Sequence, residues 1–166
     1  MSTFLTSDLH FSHKILCENI RKMSIEDNNN LIINNWNKAV HKQDTVLILG
    51  DVTMDDPKVI TEIMPKLKGN KVIIGGNHDT LRCCKTFMKL GIPVLGCMEY
   101  KGFILSHVPL NATESSYYTA NIHGHLHMMN TRDINHYGFY YYNVNTEFHN
   151  YTPIKLEDIR EFYNVK

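Results

Sequence analysis

The order of predicted elements favours an α/β sandwich that forms a single domain over residues 1–166. Strand-like apolar segments alternate with helical segments in the first half of the chain, whereas strands dominate the second half. This order is typical of layered α/β folds. Polar residues follow the C-terminal ends of several predicted strands, which is where open α/β sheets usually carry their sites. The sequence therefore predicts both a fold class and the edge at which to look for function.

The first elements are a short strand, a helix and a buried strand. "TFLTSD" predicts the strand, and "SIEDNNNLIINNWNKAV" predicts the helix. Ser24 to Asp27 resembles a capping box at the start of this helix. An apolar face with helical spacing runs through Leu31, Ile32, Trp36, Ala39 and Val40. "DTVLILGD" is almost continuously apolar, which predicts a buried strand.

The middle and end of the chain continue this alternation before strands take over. In "MDDPKVITEIMPKLKG", Asp56 can cap a helix that has Pro57 at its first position. "NKVIIGGNHD" predicts a second buried strand, and "TLRCCKTFMKL" predicts a helix that ends near Gly91. Further strands are predicted in "IPVLGC", "GFILSH", "TANIHG" and "GFYYYNV", and "LEDIREFY" predicts a short closing helix.

Composition limits the classes of function. Lys+Arg and Asp+Glu both total 17, so the formal net charge is zero. Proteins that bind long nucleic acids usually carry a basic excess, so extended nucleic acid is not the expected partner. No apolar run reaches the roughly 20 residues of a membrane span, and the N-terminus lacks signal-peptide features. We therefore expect no membrane partner and a cytoplasmic location, in the host if a phage encodes the chain. The four cysteines form no C-x-x-C and are expected to be reduced thiols.

Side chains that can bind metals or phosphate stand at five predicted strand ends. Each of them alone has an ordinary structural explanation, such as a turn or a cap. A fold seldom places so many at successive strand ends unless they converge on a charged group. Carboxylate, imidazole and amide ligands suit Mn²⁺, Fe, Co²⁺, Ni²⁺ or Zn²⁺, and they are too many for one tetrahedral ion. The residues are Asp8, His10, Asp51, Asn77, His78, His107, His125 and His127.

The order of these motifs resembles that of the calcineurin-like metallophosphoesterase superfamily. The blocks are D-x-H (8–10), G-D (50–51), G-N-H-D (76–79), H (107) and G-H-x-H (124–127). The resemblance is greatest to small single-domain phosphoesterases of bacteria and their phages, with "DLHFSH", "SHVPL" and "NVN" as further matches. It implies a four-layer α/β/β/α sandwich of two packed mixed β-sheets flanked by helices. It also implies two divalent metal ions, with Mn²⁺ as the first expectation.

The resemblance further implies a role for each residue of these blocks. The first ion would be bound by Asp8, His10 and His127. The second would be bound by Asn77, His107 and His125, with Asp51 as a catalytic ligand that bridges both ions. A metal-bridging hydroxide would attack phosphorus in line while His78 assists the leaving group. The implied enzyme is a metal-dependent phosphoric ester hydrolase, a phosphodiesterase or phosphatase, whose partner is a small phosphorylated substrate such as a nucleotide or cyclic nucleotide.

Two departures and two alternative functions accompany this resemblance. The protein phosphatase branch has G-D-x-x-D-R-G, but "GDVTMDD" lacks the arginine. Asn145 stands where an aspartate is common in the small bacterial group. One alternative is a nuclease that acts on short DNA or RNA ends. The other is a non-catalytic protein-binding scaffold, although the intact Asn77-His78 pair favours catalysis.

Three polar residues near the motifs are weaker candidates for the site. His13 either contacts the substrate or a metal ligand, or lies on the surface. Asp79 either orients the imidazole of His78 or caps the helix that begins near Thr80. Arg82 either reaches a phosphate or lies on a solvated helix face.

Three aromatic residues close to the histidine motif are also candidates. Tyr117 and Tyr118 either stack on a base or an aromatic leaving group, or serve in packing. His123 alternates with His125 and His127 in "NIHGHLH" but lies outside the ligand pattern of the family. We expect it to contact the ligands or to pack in the core.

Overall fold

A computed structural model describes residues 1–111, 117–131, 135–136 and 139–165, with only the backbone described at 135–136. The strands are β1 (Thr3–Thr6), β2 (Thr45–Ile48), β3 (Asn70–Ile74), β4 (Val94–Leu95), β5 (Met98–Tyr100), β6 (Phe103–Leu105), β7 (Ala120–His123), β8 (Asn135–His136), β9 (Phe139–Asn143) and β10 (Ile154–Lys155). The α-helices are α1 (Ile25–Ala39), α2 (Pro57–Ile63), α3 (Leu81–Lys89) and α4 (Leu156–Phe162).

The strands form two five-stranded mixed sheets. The first has the order β10-β1-β2-β3-β4, in which β1 to β4 are parallel and β10 pairs antiparallel with β1. The second has the order β5-β6-β7-β9-β8, in which β6, β7 and β9 are parallel. Its two edge strands, β5 and β8, run antiparallel to their neighbours. The predicted α/β class, with two mixed sheets flanked by helices, is confirmed.

Alternate residues of the first sheet enter two different core clusters. Val46 and Ile48 of β2 point into the cluster that includes the buried Trp36 of α1 and residues of α2 and α3. Leu47 and Leu49 point into the cluster between the sheets, which α4 also joins. This alternation follows from the two-residue repeat of a strand. A strand buried on both faces is apolar at successive positions, as "VLIL" (46–49) is.

The predicted helix starts are confirmed by their hydrogen bonds. The side chain of Ser24 accepts from the backbone N–H of Asp27, and Asp56 accepts from the backbone N–H groups of Lys58 and Val59. After α3, Gly91 adopts a φ of 74°, which an L side chain rarely adopts. None of the helices in the described ranges combines the length and the apolarity that a membrane crossing requires.

Several elements lie where no element was predicted, among them β8 and a 3-10 turn at Thr146–His149. A π-helical turn spans Leu16–Arg21 and ends at Lys22 in the left-handed region. The short edge strands β5 and β10 carry no distinctive pattern and exist through their pairing with β6 and β1. The π-helical turn matters most for the site, because it places the buried Arg21 next to the ligand motifs.

Candidate metal centre

The predicted ligand motifs converge beyond the C-terminal ends of the parallel strands of both sheets. The loop after β1 runs beside the loop after β2, since the N–H groups of Asp8 and His10 donate to the carbonyls of Gly50 and Asp51, each at 3.0 Å. The loop after β7, in the second sheet, is connected to these two loops because the N–H of His125 donates to Asp8 Oδ2 at 2.9 Å. The motif loops of the two sheets are therefore bonded directly to one another.

Four of the predicted ligands adopt left-handed backbone conformations. The φ angles are 55° at Asp8, 46° at His10, 54° at Asp51 and 68° at His125. Such conformations each cost roughly 1–3 kcal/mol in a residue with a side chain, and they cluster at functional sites. Here they turn the chain sharply just after a strand, so that the side chain returns towards the edge of the sheet. The surrounding hydrogen bonds hold this strained arrangement.

Glycines allow the loops to approach this closely. A Cβ atom at Gly124 would collide with the side chains of Asp8 and Ser7, and one at Gly76 would collide with the carboxylate of Asp51. A Cβ atom at Gly50 would lie 2.6 Å from Nδ1 of His107. The glycines of the G-D, G-N-H-D and G-H-x-H motifs thus make room for the functional side chains.

The structure brings the predicted ligands together as two groups. Within each group, the potential ligand atoms lie within 4.8 Å of one another. The first set consists of Asp8, His10 and His127. The second set is Asp51, His107 and His125, and Oδ1 of Asn77 lies 3.0 Å from His107 Nε2.

The carboxylates of Asp8 and Asp51 are held in the same way. In each, one oxygen accepts hydrogen bonds from neighbouring residues, and the other oxygen faces histidines. Oδ2 of Asp8 accepts from Ser7 and from the N–H of His125, while Oδ1 lies 3.5 Å from Nε2 of His127. Oδ1 of Asp51 accepts from the N–H of His78 at 2.9 Å. Its Oδ2 lies 3.2 Å from Nε2 of His107 and 3.8 Å from Nε2 of His10. Asp51 is thereby placed between the two sets.

The electrostatics reflect burial and close opposite charges. Burial raises the pKa of Asp8 above its ordinary value and lowers the pKa of His10 to about 3. Burial also acts against protonation of His107, but its hydrogen bond to Asp51 and the charge of that carboxylate raise its pKa to about 9. Burial would raise the pKa of Asp51 as well, yet His107 and the His78 N–H bring it below its ordinary value.

The donor set fits divalent cations. Asp8 Oδ1 and both ring nitrogens of His10 are buried and have no hydrogen-bond partner among the described residues. Unpaired buried polar atoms are costly, and a cation would satisfy these lone pairs. Carboxylate and imidazole are ligands of Mn²⁺, Fe, Co²⁺, Ni²⁺ and Zn²⁺. The two sets are two candidate metal sites.

His78 stands beside these sets at the surface. Its side chain is about one-third exposed, and Nε2 lies 3.9 Å from Asp51 Oδ2. Its ring centroid lies 5.6 Å from that of His10. His78 therefore presents an imidazole to solvent next to Asp51, where a substrate group could approach.

Comparison with known proteins agrees with this geometry. The family model described as calcineurin-like phosphoesterase matches residues 1–162. The chain belongs to this family. A metal-dependent hydrolase of phosphoric esters is thus its general class, and the predicted resemblance is confirmed. Proteins of this family typically bind two divalent ions, which matches the two ligand sets.

Sequence relatives of this calcineurin-like chain occur in an archaeon and a phage, and two bacterial proteins of known structure share its fold. It is 32% identical to an uncharacterised protein of Methanocaldococcus jannaschii over 93% of this chain and 86% of that protein. It is 37% identical to the Gene 66 protein of Mycobacterium phage L5 over 47% of this chain and 40% of that protein. A solved structure of a protein of unknown function from Aquifex aeolicus has a TM-score of 0.77 at 24% identity, covering 96% of this chain and 98% of that one. The nuclease MPE of Pseudomonas putida shares the fold, with a TM-score of 0.54 at 18% identity, over 75% of this chain and 61% of that one.

Asp79 makes contacts that differ from both of those predicted for it, whereas Arg82 lies on a solvated helix face, one of its two predicted positions. Oδ2 of Asp79 accepts from the N–H groups of Asp51 (2.9 Å) and Gly76 (3.0 Å), so it braces the ligand loops instead of capping α3 or orienting His78. The Arg82 side chain is about two-thirds exposed on α3 and pairs with Asp55, whose carboxylate lies 2.6 Å away, so the guanidinium is directed at this neighbour. Asp79 thus binds two neighbouring N–H groups, and Arg82 binds a neighbouring carboxylate.

The remaining candidates divide between the site and the core. The His13 ring centroid lies 5.3 Å from that of His10, which places it beside a ligand. Tyr117 is almost fully exposed, whereas Tyr118 packs against the cluster of Ile104 and Phe139. His123 is fully buried, and its ring nitrogens contact the Gly124 carbonyl at 2.8 Å and the Thr131 hydroxyl at 2.7 Å.

Two buried charged residues beside the first set were not predicted. Glu147 approaches Nδ1 of His127 with both carboxylate oxygens, each at 3.0 Å, and Arg21 donates to Glu147. Asn145, the residue that departs from the family pattern, lies 3.2 Å from the same nitrogen and accepts from the N–H of Glu147. A carboxylate two residues after Asn145 is the one signal that the sequence offered.

Proposed function

We propose that this protein hydrolyses phosphate monoesters or diesters of a small substrate, with a nucleotide or cyclic nucleotide as the leading candidate. The observation that carries the proposal is the pair of ligand sets with Asp51 between them. Two divalent ions held by these sets would supply the nucleophile and neutralise the phosphoryl charge, as in two-metal hydrolysis. Mn²⁺ is our first choice of ion.

The residues take distinct parts in this proposal. Asp8, His10 and His127 hold one ion, and Asn77, His107 and His125 hold the other. Asp51 would serve both ions, because its Oδ2 faces His10 on one side and His107 on the other. His78 donates a hydrogen bond to a phosphoryl oxygen or a proton to the leaving oxygen, since its imidazole is exposed next to Asp51.

The preference for a small substrate rests on charge. The chain has no net charge, and the one arginine considered for phosphate contact is paired with Asp55. A long nucleic acid needs several phosphate contacts along its backbone. A single phosphoryl group needs only the metal sets and His78.

The deciding experiment is a substrate screen with Mn²⁺-loaded protein and the His78→Ala variant. The screen covers mononucleotides, cyclic nucleotides, short oligonucleotides and aryl phosphate mono- and diesters. His78→Ala should retain both ions yet lose about 10²- to 10⁴-fold in turnover of substrates with poor leaving groups, and less with p-nitrophenyl esters. Equal losses on both kinds of substrate, or unchanged rates, would refute the role of His78.

Other outcomes of the same screen separate the alternatives. Preferential cleavage of oligonucleotide ends would replace a small-substrate enzyme with a nuclease, the activity named for the P. putida neighbour. Inactivity with every divalent metal would favour a protein-binding scaffold. Hydrolysis in ¹⁸O-labelled water should label phosphate within a single turnover, and a trapped phosphohistidine would contradict the mechanism.

A further inference from the structure

A buried guanidinium lies behind the first set and has no part in the hydrolysis proposed above. The side chain of Arg21 is fully buried, and its Nε donates to Oε1 of Glu147 at 3.0 Å. Burying a charge is expensive unless it is paired and hydrogen-bonded, and Arg21 meets this requirement with four acceptors. Besides Glu147, these are the carbonyl oxygens of Asp8 (2.8 Å) and Leu9 (3.0 Å) and the side chain of Asn28 (2.8 Å).

Arg21 therefore binds the backbone of the segment that carries two ligands of the first set. The carbonyls of Asp8 and Leu9 lie within the D-x-H motif, which begins at Asp8 and ends at His10. Both Asp8 and His10 adopt left-handed backbone conformations that need external support. The rigid fork of a guanidinium can bind several acceptors in fixed directions, which the ammonium of a lysine cannot do.

Glu147 connects this guanidinium to the third ligand of the set. Its carboxylate oxygens are both 3.0 Å from Nδ1 of His127, whose Nε2 faces Asp8 at 3.5 Å. A carboxylate accepts a hydrogen bond from Nδ1–H, which keeps the proton on Nδ1 and leaves the lone pair on Nε2, the atom directed at the first set. The amide nitrogen of Asn145 also lies near Nδ1, at 3.2 Å, but as a donor it cannot stabilise Nδ1–H.

We propose that Glu147, which Arg21 ties to the D-x-H peptide, is a positioning residue that sets the metal affinity of the first set through His127. This inference rests on the proposed dinuclear site. The chain Arg21–Glu147–His127 links a buried cation, a carboxylate and an imidazole, with only 12% of the Glu147 side chain exposed. Outer partners of this kind typically change metal affinity or activity by about 10- to 100-fold.

The second set provides the contrast that makes the inference specific. Nδ1 of His107 contacts the backbone carbonyl of Leu49 at 2.7 Å, so a main-chain oxygen stands at His107 where the Glu147 carboxylate stands at His127. Removal of the Glu147 charge should therefore weaken one of two binding steps and leave the other unchanged.

The test is a titration of metal-free protein with Mn²⁺. Calorimetry measures binding, and electron paramagnetic resonance measures the concentration of the free ion. Glu147→Gln should lower the affinity of one step about 10- to 100-fold. In the His127→Ala background the same substitution should change affinity less than twofold, because Glu147 then has no imidazole to orient. Additive losses would identify a general structural role and overturn the inference. Glu157→Gln, on the exposed face of α4, is the matched control.

A second variant covers the case in which Glu147→Gln unfolds because Arg21 loses its partner. Glu147→Asp keeps the charge beside Arg21 but shortens the reach to His127, so it should fold and still weaken the same step. Unchanged affinities in a folded Glu147→Asp protein, together with an unfolded Glu147→Gln protein, would overturn the positioning role. If the parent protein binds fewer than two ions, the dinuclear proposal itself fails, and the two failures are thus distinguished.

Discussion

The two ligand sets contain similar side chains but are supported in different ways. In the first, His127 contacts the carboxylate of Glu147, which Arg21 ties to the D-x-H peptide. In the second, His107 contacts the main-chain carbonyl of Leu49, at the end of β2. A carboxylate partner raises the basicity of an imidazole more than a neutral carbonyl does. The partner of His127 can therefore be altered by a single substitution at Glu147, whereas the partner of His107 is a main-chain oxygen.

The largest expected effect comes from removal of a ligand from the second set. His125→Ala should lower the metal content from two ions to about one per chain and reduce hydrolysis by more than about 100-fold. His123→Ala should retain both ions, because His123 contacts Gly124 and Thr131 and belongs to neither set. Metal analysis after desalting, below the unfolding temperature of each variant, checks both. Loss of an ion from His123→Ala would show that the alternating histidines act as one group.

An intermediate effect is expected from the glycines that make room for the carboxylates. A methyl group at Gly124 would press on Asp8, and one at Gly76 would press on Asp51. Overpacking costs about 1–3 kcal/mol, which corresponds to roughly 5- to 100-fold in affinity. Gly76→Ala should weaken metal binding more than Gly124→Ala, since Asp51 lies between the sets.

The control for this pair is Gly96→Ala, because nothing lies within 4 Å of a Cβ atom at that position. Titration of all three metal-free variants with Mn²⁺ gives the comparison. Equal affinities in the three would mean that the motif loops move aside freely. That result would also contradict the view that strained, tightly packed loops hold the carboxylates in place.

The smallest expected effect is the change in stability with pH that comes from His123, which belongs to neither set. Burial lowers the pKa of His123 to about 4, so folded protein keeps it neutral while unfolded chains take up a proton near pH 6.5. Stability is therefore unaffected well above pH 6.5 and falls as the pH drops from 6.5 towards 4. From pH 7 to pH 5 this residue should remove about 2 kcal/mol from the free energy of unfolding.

Urea unfolding of metal-free protein at both pH values checks this prediction. The drop in stability between pH 7 and pH 5 should be about 2 kcal/mol larger in the parent than in His123→Gln, because the other titrating groups are common to both. An identical drop in the two proteins would mean that the buried imidazole titrates normally.

Much of the fold could be predicted because its signals are local. The cap at Asp56 needs only the next few residues, and the apolar run of β2 indicates burial on both faces. Short edge strands such as β5 could not be predicted, since pairing with a distant neighbour defines them. The contacts of Asp79 and Arg82 could not be predicted for the same reason. Their partners lie about 25 residues away or more, at Asp51 and Asp55.

The sequence by itself determined the family and the candidate ligands of the site. Each motif couples a strand end to a ligand, and several contain the glycine that close approach requires. Only the tertiary structure decided what supports these ligands. Arg21 and Glu147 are 126 positions apart and meet because a π-helical turn and the loop after β9 reach the same buried place. A buried charge needs a partner but does not specify where along the chain that partner stands.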